Sequence, residues 1–297
     1  MSGKLKEVRD RIGSVKSTQQ ITKAMKMVSA AKLRNAQNAI TQMRPYAQKL
    51  DQMIKNILSN IEGGDGGSFG VERPVSKAAV VVITSNRGLA GAFNTNIAKA
   101  AFSLYEKHEA LAKNGNLTFY FVGKKGFDAL KKRIPGAVIN NEYTDLFSDL
   151  SFENVSQVPN KLMESFKAEE FDQVHVCYGR FKNAAMQFPE VVQFLPVEKI
   201  EVVDDGKKKT NADYIFEPGK KELLEELIPS ILQTTFLKFC LDTNASEHGA
   251  RMTAMDKATE NASELLKELK ITYNKARQES ITKEILEIVG GAAALEN

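Results

Sequence analysis

The sequence predicts an α/β protein: a long antiparallel coiled coil of N- and C-terminal helices plus a central Rossmann-like three-layer domain. Three observations carry that expectation. Residues 4–62 and 220–297 read as long helices, and Ala250–Val289 holds neither Gly nor Pro. At 1.5 Å per residue that stretch alone spans roughly 60 Å. All sixteen Phe lie between Phe69 and Phe239, so the bulky side chains gather in the middle of the chain. Between the arms, apolar runs of strand length alternate with helical segments. The expected divisions are 1–62 for an N-terminal shaft helix, 63–219 for a globular head, and 220–297 for a C-terminal shaft helix that pairs with the first.

In the N-terminal arm, Leu5, Val8, Ile12 and Val15 follow 4-3 spacing, and so do Ala36, Ala39, Met43, Tyr46, Leu50, Met53 and Ile57. Between these stripes Met25 and Val28 stand one stutter out of phase. Pro45 removes a backbone donor inside the second stripe and is expected to kink the helix or start a new segment.

The head reads as Lys77–Thr84 (strand), Asn94–Asn114 (helix), Leu117–Gly123 (strand), Lys124–Lys132 (helix) and Val138–Asn141 (short strand). Asn154–Glu170 (helix), Gln173–Tyr178 (strand) and Val191–Leu195 (strand) follow. AAVVVI and LTFYFV are continuous apolar runs, as expected of a mostly parallel sheet covered on both faces. Such sheets often bind nucleotides after the first strand, here Thr84–Gly91. That loop matches neither the dinucleotide fingerprint nor the P-loop, and Gly123-Lys124-Lys125-Gly126 lacks the P-loop spacing. A tight strand-to-helix turn with a structural role is the expectation there, and no cofactor is expected.

The C-terminal arm carries a heptad stripe through Leu241, Ala245, His248, Met252, Met255, Thr259, Ala262, Leu266, Leu269, Tyr273 and Ala276. Its period of 3.5 is that of a left-handed coiled-coil seam. One arm enters the head and the other leaves it, so paired arms are antiparallel. Facing residue numbers should then sum to roughly 280, with Met25 near Met255. The C-terminal arm should overhang by about eighteen residues as a single helix. Ile281, Ile285, Leu286, Ile288, Val289 and Leu295, with Ala292–Ala294, cover much of that overhang's circumference. A helix apolar all round is buried in something, so a narrow apolar sleeve made by other subunits is the expectation, against a frayed or domain-packed tail.

Net charge is +4, but the first 62 residues carry twelve Lys/Arg against four Asp/Glu, with no acid between Asp10 and Asp51. The last 78 residues carry ten bases against thirteen acids, so part of the basic charge is answered across the coiled coil. The remainder fits an acidic partner surface. Nucleic acid is disfavoured because no aromatics interleave with the bases. The longest apolar run, Ala78–Ile83, is far short of the ~20 residues a membrane span needs. Cys177 and Cys240 form no pattern of paired cysteines, which fits a reducing compartment. His108, His175 and His248 are scattered. H-E-x-x-H, C-x-x-C and G-x-S-x-G are all missing from the sequence, which argues against an independent enzyme.

Three segments carry a family resemblance: Ile21–Gln37 (ITKAMKMVSAAKLRNAQ), Ser85–Asn94 (SNRGLAGAFN), and Ser246–Leu295, which includes ARMTAMDKATENA and YNKARQESITKEILEIVGGAAAL. Along its whole length the chain closely resembles the gamma subunits of F-type ATP synthases, the central rotor shafts. The resemblance implies a coiled coil inside a hexamer of three alpha and three beta subunits, one copy per complex. The head would stand on the membrane rotor ring beside the epsilon subunit. It also implies a peripheral protein on the cytoplasmic side of a bacterial inner membrane, with no bond chemistry of its own. By the same resemblance, Met25, Lys26 and Arg251 lie where the shaft meets the mobile acidic region of the beta subunits. Arg277, Gln278, Thr282 and Glu284 match a polar belt that touches the beta subunits higher up. Tyr214 and Phe216 match the foot near the ring, with Phe where the family's pattern has a second Tyr. Val202–Asn211 is short and cysteine-free, unlike the regulatory insertion of plastid members. Against the rotor stand an α/β enzyme with a ligand at Ser85–Gly91 and a non-catalytic α/β coiled-coil adaptor, such as one for nucleic acid.

Overall fold

The runs AAVVVI and LTFYFV become the two inner strands β1 (Ala78–Ile83) and β2 (Leu117–Val122) of a five-stranded sheet, in which every residue but Thr118 is buried. The computed structural model describes residues 3–58, 69–197 and 220–295. With β3 (Val138–Asn140), β4 (Gln173–Phe181) and β5 (Gln187–Leu195) the sheet order is β3-β2-β1-β4-β5. All pairs are parallel except the antiparallel β4–β5 hairpin. The chain divides into two compact units, Ala31–Ala250 around this sheet and Met1–Ala30 with Arg251–Asn297.

Side chains alternate across the strands, so each face builds its own core. On one face Val80, Val82, Phe121 and Cys177 pack with Phe93, Ile97, Leu104 and Leu130, brought by α2 (Phe93–Lys107) and α4 (Lys124–Leu130). On the other, Val81, Ile83 and Val176 meet Val155, Leu162 and Phe166 of α5 (Phe152–Lys167). Ile228, Leu232, Phe236 and Phe239 join that same core. They belong to α6, which runs from Lys220 to Leu295. The root of the C-terminal arm is thus one of the outer layers of the head. Cys177 and Cys240 are buried, and burial pushes the Cys177 thiol up to about 12, so neither is a reactive thiolate at neutral pH.

Three local expectations are corrected. The segment Asn94–Asn114 is two helices, α2 and a short α3 (Glu109–Lys113), broken at His108, whose ψ of 23° leaves the helical range. The break lets Ala112 turn back into the same apolar face as Leu104. Strand β5 starts four residues before the expected Val191, and Pro189 lies within it. An edge strand tolerates a residue without an N–H. Pro45 starts no new segment, since α1 runs from Gly3 to Leu58 through it.

In the unit of Met1–Ala30 with Arg251–Asn297, α1 and α6 lie antiparallel. Gln19 donates to Ser263 Oγ at 2.6 Å, Thr22 meets Thr259 at 2.8 Å, and Lys26 pairs with Asp256 and Lys4 with Glu279. The paired numbers sum to 281–283, close to the expected 280. A constant sum is the signature of two antiparallel helices in fixed register.

Asp172 ties the start of β1 to the loop before β4. Its Oδ2 accepts from the Ser76 N–H, the Ser76 hydroxyl and the Lys77 N–H at 2.7–2.9 Å. Burial pushes this carboxyl up, but the three hydrogen bonds and nearby Arg73 outweigh it and hold it below its ordinary value. A depressed carboxylate stabilises the fold above the unfolded-state value near 4 and loses that contribution as pH falls through the folded-state value. Asp172→Asn should therefore cost about 1–3 kcal/mol at pH 7. Urea titrations should show the gap between variant and parent closing as pH is lowered below 4. An equal gap at pH 7 and pH 3 would refute the assignment.

Candidate partner interface

The seam of the helix pair explains the irregular N-terminal pattern. Leu5, Val8, Ile12, Val15, Gln19, Thr22, Lys26, Ser29, Leu33 and Ala36 keep 4-3 spacing without interruption, and each is buried or half-buried. The expected stutter is corrected: polar residues hold the phase, while Val28 and Met27 are 57% and 60% exposed. On α6 the expected stripe holds, with Met255, Ala262, Leu269 and Ala276 buried at intervals of seven. The middle of the seam is therefore polar. Each of the two hydroxyls also reaches a carbonyl of its own helix, Thr22 to Gln19 O at 3.1 Å and Thr259 to Met255 O at 2.7 Å, so the pair shares its protons across the seam and along both helices. The Lys26–Asp256 pair has both side chains at least 40% exposed, and such pairs contribute little.

The nine residues singled out from the sequence fall into four groups. Met25 and Lys26 are half-buried beside the polar seam. Arg251 is buried, at 7% exposure. Arg277, Gln278, Thr282 and Glu284 are all exposed. Glu284 borders an open groove with Lys4, Ala276, Glu279, Ser280 and Lys283. Tyr214 and Phe216 lie outside the described residues, as do Val202–Asn211. Beside Met25 the structure adds Ile21, Met27 and Val28, apolar and 57–60% exposed. Their signal in the sequence was apolar character off the seam phase.

The Lys4–Glu279 pair lies one residue from the start of α1, and α6 continues for sixteen residues beyond Glu279. That is roughly 24 Å of helix. Along it Ile281, Ile285, Leu286, Ile288 and Val289 are 49–71% exposed. A contiguous apolar surface of this kind marks an interaction site.

The loop after β1 turns its polar groups inward. Asn94 Oδ1 accepts from the Ser85 N–H at 3.0 Å. At the start of α4 the N–H groups of Lys124, Lys125 and Gly126 donate to Asn86 Oδ1, Ser85 O and Thr84 Oγ1. Gly123, at φ 99°, lets the β2 turn close on this loop: a Cβ there would lie 1.9 Å from Thr84 O. At the turn into α4, the N–H donors that could meet a phosphate are engaged by the chain's own acceptors. His108 and His175 have ring centroids 6.2 Å apart, and burial together with His108 pushes His175 down to about 4. Among the described residues, no group of three or more His, Cys, Asp or Glu could hold a metal ion.

A family model described as ATP synthase matches residues 4–295. The ATP synthase gamma chain of Cytophaga hutchinsonii is 52% identical over 294 residues, covering 99% of each chain. That of Flavobacterium psychrophilum is 51% identical over 293 residues, covering 98% of this chain and 99% of its own. The chain belongs to the ATP synthase gamma-chain family. The reading of the sequence as a gamma subunit of an F-type ATP synthase holds, and so does the fold class. A chain of the Euglena gracilis mitochondrial ATP synthase, in an OSCP/F1/c-ring assembly in rotational state 3, superimposes with a TM-score of 0.66. It is 25% identical, with 99% of this chain and 95% of that one covered. A chain of the Tetrahymena thermophila central stalk and ring, 23% identical with a TM-score of 0.53, shares the fold. It covers 80% of this chain and 99% of its own length.

The polar seam is testable in the full chain. Thr22→Val should cost about 1 kcal/mol by loss of one hydrogen bond. Adding Thr259→Val makes the layer dry and should recover most of it, giving a coupling energy of about 1 kcal/mol in a double-mutant cycle. Strictly additive losses in urea unfolding would show that the two hydroxyls do not act as a pair.

Proposed function

We propose that this gamma chain is the rotating central shaft of its ATP synthase and performs no bond chemistry. On this reading residues 1–62 and 220–297 form the shaft and 63–219 the head. The helix pair stands inside a hexamer of alpha and beta subunits, one copy per complex. The head stands on a membrane rotor ring beside an epsilon subunit, on the cytoplasmic side of a bacterial inner membrane. Among the described residues no helix is long and apolar enough to cross a membrane, which is consistent with peripheral attachment.

The observation that carries the reading is the end of α6 beyond Glu279, where Ile281, Ile285, Leu286, Ile288 and Val289 expose one broad apolar face with no helix packed on it among the described residues. Burial of the exposed Ile, Leu and Val side chains there gains roughly 1.5–3 kcal/mol each. A sleeve of other subunits supplies that burial. The similarity to a chain of a solved OSCP/F1/c-ring assembly supports a place for this chain in such a complex. Below the tip, the exposed belt of Arg277, Gln278, Thr282 and Glu284 gives directional contacts that distinguish one beta subunit from the next. Lower still, Met25, Lys26 and the buried Arg251 lie where the shaft meets the beta subunits' mobile acidic region, and Tyr214 and Phe216 stand at the foot. Each shaft angle then favours a different nucleotide affinity at each beta site. The coupling is reciprocal, so hydrolysis drives rotation and rotation drives synthesis.

The experiment is reconstitution of the whole complex with variant gamma chains in vesicles. Deleting Gly290–Asn297 removes only part of the apolar tip, and apolar centring is non-directional. Assembly and measurable ATP synthesis should survive. Gln278→Ala with Thr282→Ala removes directional contacts and should lower turnover of the assembled complex about tenfold or more, as loss of one to two charge-assisted or neutral hydrogen bonds implies. Severe loss from the deletion with none from the double substitution would reverse the two roles. A complex that assembles and synthesises ATP without this chain would overturn the shaft reading itself.

A further inference from the structure

Strand β4 outlasts its neighbour. The β1–β4 ladder ends at Val82 and Cys177, whereas β4 continues to Phe181. Two residues past the end of that ladder lies Gly179, buried, and both of its backbone polar groups are engaged by α6. Its N–H donates to Thr243 Oγ1 at 3.2 Å, and the Ser246 hydroxyl donates to its carbonyl oxygen at 3.0 Å. Thr243 and Ser246 are completely buried. Three residues apart, they share one face of the helix.

The same face of α6 is held above and below this point. The Tyr178 ring packs on Phe239 with centroids 4.4 Å apart. Gly249 lies under the β4–β5 turn, where a Cβ would come within 3.2 Å of Ala184 O and Gln187 Nε2. From the opposite side Phe93 presses on Gly179, and a Cβ there would lie 2.6 Å from its ring. Residues 239, 243, 246 and 249 therefore form one stripe of α6 clasped by the β4–β5 hairpin.

We infer that Gly179, Thr243 and Ser246 form a torsional lock that transmits rotation between the head and the shaft helix. The inference rests on the shaft reading above and adds the point at which head and helix are fixed against each other. Apolar contacts such as those of Leu232, Phe236 and Phe239 are strong but non-directional. Under torque, a helix held only by them rolls by small repacking steps. A hydrogen bond depends steeply on angle. Here one residue accepts from the helix at its carbonyl and donates to the helix at its N–H. Rolling or sliding α6 in either direction lengthens at least one of the two bonds. Both groups are sealed from water, so a broken bond has no solvent replacement. Thr243 and Ser246 are positioning residues in this scheme and touch no reacting atom.

The test uses the assembled complex in vesicles, with ATP-driven proton pumping read twice: as the initial rate, when no gradient opposes rotation, and as the steady-state gradient, when load is greatest. Thr243→Val with Ser246→Ala should leave ATP hydrolysis and the initial pumping rate within about twofold of the parent. The steady-state gradient, normalised to the initial rate, should fall at least twofold because the helix slips under load. Thr243→Ser keeps a hydroxyl and should restore the parental ratio in the Ser246 background. Loss of packing alone would lower yield or thermal stability without altering this ratio. Should the double variant fail to assemble, Thr243→Val and Ser246→Ala are read singly, each with a smaller fall in the same ratio. An unchanged ratio in assembled variants overturns the lock while leaving the shaft reading intact. Complexes assembled without the gamma chain that still pump at the parental rate would overturn the shaft reading instead.

Discussion

The register of one antiparallel helix pair governs the rest of this molecule. Two apolar stripes of 3.5-residue period can pair in several registers one heptad apart, because leucines and alanines are interchangeable at that spacing. The hydroxyls cannot slide. Thr22 must meet Thr259 and Gln19 must meet Ser263, or several part-buried polar groups lose their partners. This is the use of buried polar residues best attested in coiled coils, specificity of register at a cost in stability. Register in turn decides where α1 ends against α6. It therefore sets how many residues of α6 stand alone, and where Arg277, Gln278, Thr282 and Glu284 stand along the shaft.

The head has the frame of a nucleotide-binding sheet, with the turn into α4 closed by the chain's own acceptors. In such a sheet the turns after β1 and β2 present N–H groups to a phosphate. Here Thr84, Ser85 and Asn86 supply the acceptors themselves, and Gly123 allows the close approach. The result ties the ends of β1, β2, α2 and α4 together. On the other face the layer that a further crossover helix would occupy is the root of α6, with Phe236 and Phe239 in the core. A helix needed for reach is thereby also a structural layer, which gives the head a grip on it.

Much of this was legible in the sequence, for physical reasons. Continuous apolar runs fix the inner strands because both faces are buried, and AAVVVI and LTFYFV are unambiguous. The α6 seam was legible because apolar side chains carry its phase. The α1 seam was not, because Gln19, Thr22, Lys26 and Ser29 occupy its middle, and a hydrophobic pattern says nothing of hydroxyls that pair across a seam. Pro189 hid the first half of β5, since a strand with no neighbour on its outer edge needs no donor there. The break at His108 has no turn residue to announce it. The candidate contact residues came from family resemblance and not from pattern. Exposed Gln278 and Thr282 look like any solvated helix face until the partner surface is considered.

The division between apolar and polar contact runs through the whole shaft and follows from what each can do. Apolar surface tolerates rotation, since its attraction depends on area removed from water and hardly on angle. On the proposed shaft reading, a tip that turns inside a sleeve is suited by the apolar surface of Ile281, Ile285, Ile288 and Val289. Hydrogen bonds resist rotation because their energy falls off with misalignment. They appear where two parts must keep one mutual orientation: Gln19 and Thr22 within the helix pair, and Thr243 and Ser246 against the sheet. A shaft made apolar throughout would hold together yet transmit no defined angle. One made polar throughout would bind its sleeve in a single orientation and stall. The observed order, with hydrogen bonds inside the chain and apolar surface at its end, lets a rotor be rigid in itself and free in its bearing.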